Sequence, residues 1–95
     1  MAKKQEVRVL TPIDARPGKQ LAYEGVAIEI VEVNEVKAPY GSSIWAVAYR
    51  IHDQRQAPPF ISQVAHLWAN MNTNLIAEFQ KVRDHYEEIK STLRG

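Results

Sequence analysis

Between Pro59 and Leu93 the apolar side chains keep one helical phase, and no other feature constrains the fold as tightly. At 100° per residue, counted from Phe60, the residues Val64, Leu67, Trp68, Met71, Leu75, Phe79, Val82, Tyr86, Ile89 and Leu93 fall within an arc of about 120°. Pro58-Pro59 suits a helix start, because the first helical N–H has no intrahelical partner to lose. The phase passes through Asn70-Met71-Asn72-Thr73-Asn74, although asparagine is a poor helix former. The unbroken phase favours one continuous helix over residues 59–93; the alternative is a helical hairpin broken near Asn72. At 1.5 Å per residue the continuous helix would be a rod of about 52 Å. A chain of 95 residues packs into a globule of roughly 32 Å diameter, so the rod would overhang its own domain.

The apolar stripe also changes width. Ile61, Ala65 and Ile76 broaden its first half, whereas after Phe79 only Val82, Tyr86, Ile89 and Leu93 remain. A broad face suits packing on a sheet, and a narrow seam suits pairing with another helix. Phe79, Val82, Tyr86, Ile89 and Leu93 are therefore the candidate oligomer interface.

The first half of the chain, residues 6–53, reads as strands. Residues 6–11 alternate in polarity, and Pro12 ends the run because it cannot donate to a ladder. Pro17-Gly18 suits a type II turn with glycine at positive φ. Leu21–Val36 is the main strand candidate, but Val26, Ile28 and Ile30 share one parity while Val31 and Val33 share the other. Either a bulge restores the facing or both faces are covered. Gly25 offers a second bend position. After the turn-rich Ala38-Pro39-Tyr40-Gly41-Ser42, Ile44–His52 places Trp45, Val47, Tyr49 and Ile51 on one face and Ile44, Ala46 and Ala48 on the other. The expected fold class is α+β in a single domain, residues 1–95. It combines a mostly antiparallel sheet of three or four strands with a long C-terminal amphipathic helix.

Composition narrows the function classes. The chain has no cysteine, which removes disulfides, thiolate metal sites and cysteine nucleophiles. No apolar run approaches the ~20 residues of a membrane span, and Met1–Glu6 lacks the apolar core of a secretory signal, so a soluble, cytoplasmic protein is expected. Twelve basic and eleven acidic residues give a net charge of +1, without the concentrated basic patch of a polyelectrolyte binder.

Chemistry-bearing motifs are sparse. His52, His66 and His85 include no pair at i, i+3 or i, i+4, so no helical two-histidine metal site is expected, and no cofactor is implied. His85 lies three residues before Glu88, and with Glu78 and Asn74 it borders the apolar stripe, where polar groups set register or partner choice. Ser42 and Ser43 lie outside any nucleophile elbow, phosphate-cradling glycine patterns are absent, and Glu24, Glu29, Glu32 and Glu35 read as a solvent edge. Tyr40, Trp45, Tyr49, Arg50, His52 and Arg55 form the candidate binding surface. Strand aromatics beside arginines suit a single-stranded nucleic acid, and equally a core strand ending in a polar loop. The leading expectation is a non-enzymatic binding or assembly protein acting as a homo-oligomer through its C-terminal helix. The alternatives are a nucleic-acid-binding accessory protein using the aromatic and arginine surface, and a small-molecule-binding protein or enzyme with a pocket between sheet and helix.

Overall fold

A computed structural model describes residues 9–37 and 39–94, with side chains up to Thr92. Its elements are β1 (Gln20–Tyr23), β2 (Val26–Lys37), β3 (Ser43–Asp53), β4 (Phe60–Ile61), β5 (Ala65–Ala69) and α1 (Leu75–Arg94). All pairings are antiparallel: β1 with β2, β2 with β3, and β3 with both β4 and β5. The fold is α+β, an antiparallel sheet followed by one C-terminal helix.

The Leu21–Val36 segment is two strands. Glu24 and Gly25 both adopt positive φ, 47° and 94°, as a two-residue hairpin turn of the primed kind requires, so the chain reverses where a bend was expected. Of the two explanations for the parity flip in β2, the bulge is the one the register bears out. Ile30 pairs with Tyr49 and Glu32 with Ala48, which leaves Val31 as the extra residue. Val26, Ile28, Ile30 and Val33 thereby share the face that meets Val47 and Ile51. Gly18, at φ 95°, follows Pro17 in a turn closed by Lys19 N–H donating to the Arg16 carbonyl at 3.2 Å.

The helix is shorter than its sequence phase indicates. It starts at Leu75, and residues 60–61 and 65–69 are the strands β4 and β5, so a continuous helix over 59–93 is corrected to 75–94. Asn70 supplies the physical reason. Its Oδ1 accepts from the Asn72 N–H at 2.8 Å, its carbonyl accepts from Thr73 N–H at 3.1 Å, and its own N–H donates to Thr73 Oγ1 at 3.0 Å. These local bonds give the backbone an alternative to helix and turn the chain before α1. Upstream, Ala65, Leu67 and Ala69 face the helix side while His66 and Trp68 face away, a strand alternation that the wheel also tolerated. The 20 residues of α1 span about 30 Å, so the overhang inferred from a longer rod is absent.

Asn74 caps the helix, its Oδ1 accepting from Ile76 N–H at 3.2 Å and from Leu10 N–H at 3.0 Å. The Leu10 carbonyl accepts from Leu75 N–H at 2.7 Å. Residues 9–11 therefore dock on the helix start and add no strand to the sheet, and residues 6–8 of the expected strand lie outside the described residues. Leu75 and Phe79 are fully buried against Val26, Ile28, Ile30 and Val47, and Phe79 meets Tyr49 edge to face at 5.1 Å. Among the described residues no helix covers the opposite face of the sheet.

Candidate functional site

The strand alternation of β3 runs Val47, Tyr49, Ile51 and then Asp53, which sets a carboxylate on the core face, opposite Val26 and fully buried. An isolated buried carboxylate is costly, so its partners decide whether it is tolerated. Asp53 Oδ1 accepts from Arg55 N–H at 3.1 Å and Arg55 Nε at 2.9 Å. Oδ2 accepts from Arg55 Nη2 at 3.1 Å, Tyr86 OH at 2.7 Å, Lys90 Nζ at 3.0 Å and Gln56 Nε2 at 3.4 Å. Arg55 reaches on to Glu87, and Lys90 Nζ lies 5.5 Å from the Tyr86 ring centroid. The Arg55 donors, with smaller contributions from Tyr86 and Lys90, hold the Asp53 carboxyl far below its usual range against the opposing effect of burial. Burial, then the bond to Asp53, pushes the Tyr86 phenol up to about 12.

Every acceptor position of Asp53 is occupied, so this carboxylate has no lone pair free for proton transfer. It works as a clasp, tying the second half of α1 to the end of β3. Gly25 belongs to the same device, because a Cβ there would stand 2.7 Å from Arg55 Cδ. The sequence marks Asp53 only through its strand parity, and Glu87 and Lys90 only through the helix that brings them there.

A second polar group lies on the helix-free face. Glu29 Oε1 is 2.8 Å from His52 Nε2 and 3.3 Å from Arg50 Nε, where β2 and β3 place Glu29 opposite Arg50. Here the proposed aromatic and arginine surface separates. Trp45 and Tyr49 pack toward the helix, Arg50 and His52 point to the other face, Arg55 is in the clasp, and Tyr40 stands 94% exposed in the β2–β3 loop. The six residues do not form one surface.

The candidate helix seam divides as well. Phe79, expected at an interface, is fully buried in the core of its own chain and presents no surface. Val82 and Tyr86 are half-buried against that core, and Ile89 is 45% exposed. The Leu93 side chain lies outside the described residues. Between α1 and the β4–β5 edge runs an open groove of about 340 Å³, floored by Tyr49, Ile51, Leu67, Val82, Tyr86 and Ile89 and rimmed by Glu78, Lys81 and His85. His85 Nδ1 lies 3.6 Å from Glu88 on that rim.

Among the described residues no three metal-ligating side chains cluster, and no helix is long and apolar enough to cross a membrane. Comparison of the chain with protein-family models, with curated proteins and with solved structures yields no match.

Proposed function

We propose that the protein is a non-enzymatic binding and assembly protein that acts as a homo-oligomer, with the flank of α1 and the adjoining groove as its contact surface. The observation that carries this reading is the groove itself. Apolar side chains floor it, charged groups stand only at its rim, and Ile89 lies open to solvent beside it. Apolar surface of this kind, ringed by polar residues, marks interaction sites. A catalytic pocket would add a few convergent polar groups to such an apolar lining, whereas the buried carboxylate of this fold lies in the clasp with its acceptors filled.

Light scattering at low and high micromolar concentration tests the reading. Self-association that strengthens with concentration is expected, and Leu67→Asp and Ile89→Asp should abolish it while the helical signal persists. A strictly monomeric protein at high micromolar concentration would overturn it.

A further inference from the structure

We propose that two copies pair through the free edge of β5, antiparallel about a two-fold axis that passes beside Leu67 perpendicular to the sheet. This rests on the homo-oligomer reading and names the contact that seats the second copy. β5 pairs with β3 on one side, and among the described residues no strand pairs with its other side. An edge of this kind presents unpaired backbone N–H and C=O groups, a template for another strand, unless charges, proline or a bulge blunt it. β5 has none of these devices. Its residues Ala65-His66-Leu67-Trp68-Ala69 include no Asp, Glu, Lys, Arg or Pro, and its register with β3 is unbroken. The stretch of β2 beyond Val31 also lacks a described partner on its β1 side, but Glu32, Glu35 and Lys37 guard it.

The side chains of β5 decide what fits the edge. A two-fold contact must complement itself when reversed, and this strand reads the same in size from either end: small, aromatic, leucine, aromatic, small. Antiparallel pairing about Leu67 sets Ala65 opposite Ala69, His66 opposite Trp68, and Leu67 opposite its own copy. Directly opposed residues share a face. His66 and Trp68 therefore meet on the helix-free face, beside Ala48 and Ala46, and the two leucines meet on the helix side. Aromatic pairs across a ladder are favourable, and no like charges oppose each other. A slip of two residues in either direction sets His66 or Trp68 against itself and leaves only three of the five residues paired.

Exposed apolar side chains gather at the same edge. Trp68 is 61% exposed, and Val64 and Met71, on either side of β5, are 45% and 56% exposed. The neighbour of Trp68 in β3 is Ala46, too small to shield an indole, so only a strand laid along the free edge gives it an aromatic partner. Leu67 joins this edge to the contact surface proposed above, because it floors the apolar groove. A two-fold axis perpendicular to the sheet keeps both α1 helices on one side, and the groove flank of each faces the other across the two β5 strands. The two grooves then open onto one apolar trough, with the paired leucines at its centre.

The chain has no cysteine, so single-cysteine variants report proximity without background. Opposed residues of an antiparallel pair lie within the span of a disulfide, so L67C should form a linked dimer under mild oxidation. E35C, on the β2 edge, should remain unlinked. His66 and Trp68 are exposed, so charges placed there should leave the circular dichroism that of the parent. H66D/W68K sets a carboxylate opposite an ammonium at both contacts and should keep the dimer. H66K/W68K sets like charges against each other and should raise the dissociation constant on the order of tenfold above that of H66D/W68K. If light scattering finds a dimer in which L67C stays unlinked and the two double variants associate alike, the β5 pairing falls while the homo-oligomer reading stands. A monomer at all concentrations sinks both and leaves the edge to a foreign strand.

Discussion

Burying Asp53 beside an arginine, a tyrosine and a lysine shapes two limbs of the pH–stability curve. In the unfolded chain the carboxyl titrates near 4, and in the fold its value is lower still. Its contribution is complete above pH 4 and is lost as the pH falls below that, because the unfolded chain takes up the proton first. For Tyr86 the sign reverses. Its folded value of about 12 exceeds the unfolded value near 10, so its contribution is complete below pH 10 and lost between 10 and 12. Asp53→Ala should cost about 2–4 kcal/mol in a urea melt, since it strands Arg55 and Lys90 as well as removing their bonds. Asp53→Asn should flatten the acid limb, and Tyr86→Phe the alkaline limb, when thermal unfolding is followed against pH.

At the scale of the element, two short segments set where structure starts and turns. Asn74 serves the Ile76 and Leu10 amides together. Asn74→Ala should therefore destabilise by about 1–2 kcal/mol, and Asn74→Asp, which keeps the acceptor, by much less. The Glu24–Gly25 turn holds a non-glycine residue at positive φ. Glu24→Asn should raise stability by about 0.5–1 kcal/mol by relieving that strain. Gly25→Ala should lower it, through the strained φ of +94° and through the displacement of Arg55 from Asp53. Chemical denaturation of the four variants beside the parent checks the order.

At the scale of the molecule, α1 has a buried face and an open one. Phe79→Ala should cost the protomer about 3–5 kcal/mol, because it empties the centre of the core. Ile89→Ala should cost the folding of the protomer under about 1 kcal/mol, because the side chain is 45% exposed. Melting measured at a concentration low enough to dissociate any oligomer separates the two effects. The contrast separates the two faces of the helix: Phe79 faces the sheet, and Ile89 lines the groove.

The sequence by itself determined the α+β class, β3 and its two faces, the Pro17-Gly18 turn and the amphipathic character of residues 75–92. Local chemistry governs these: period-two and period-3.6 patterns, and the conformational limits of proline and glycine. It did not determine where the helix begins. Over a stretch as short as residues 60–69, edge-strand alternation and a helical stripe both fit the same apolar residues, and the choice rests on pairing with β3 and the side-chain bonds of Asn70. Nor could it assemble the clasp, whose members Asp53 and Arg55, at the end of β3 and in the turn after it, lie more than thirty positions from Tyr86, Glu87 and Lys90 of α1. Parity places Trp45 and Tyr49 opposite Arg50 and His52, and only the packing of α1 decides which of those faces is covered and which groove stays open. Tertiary structure decided that, because burial depends on what packs above a strand, and the strand's own sequence does not specify it.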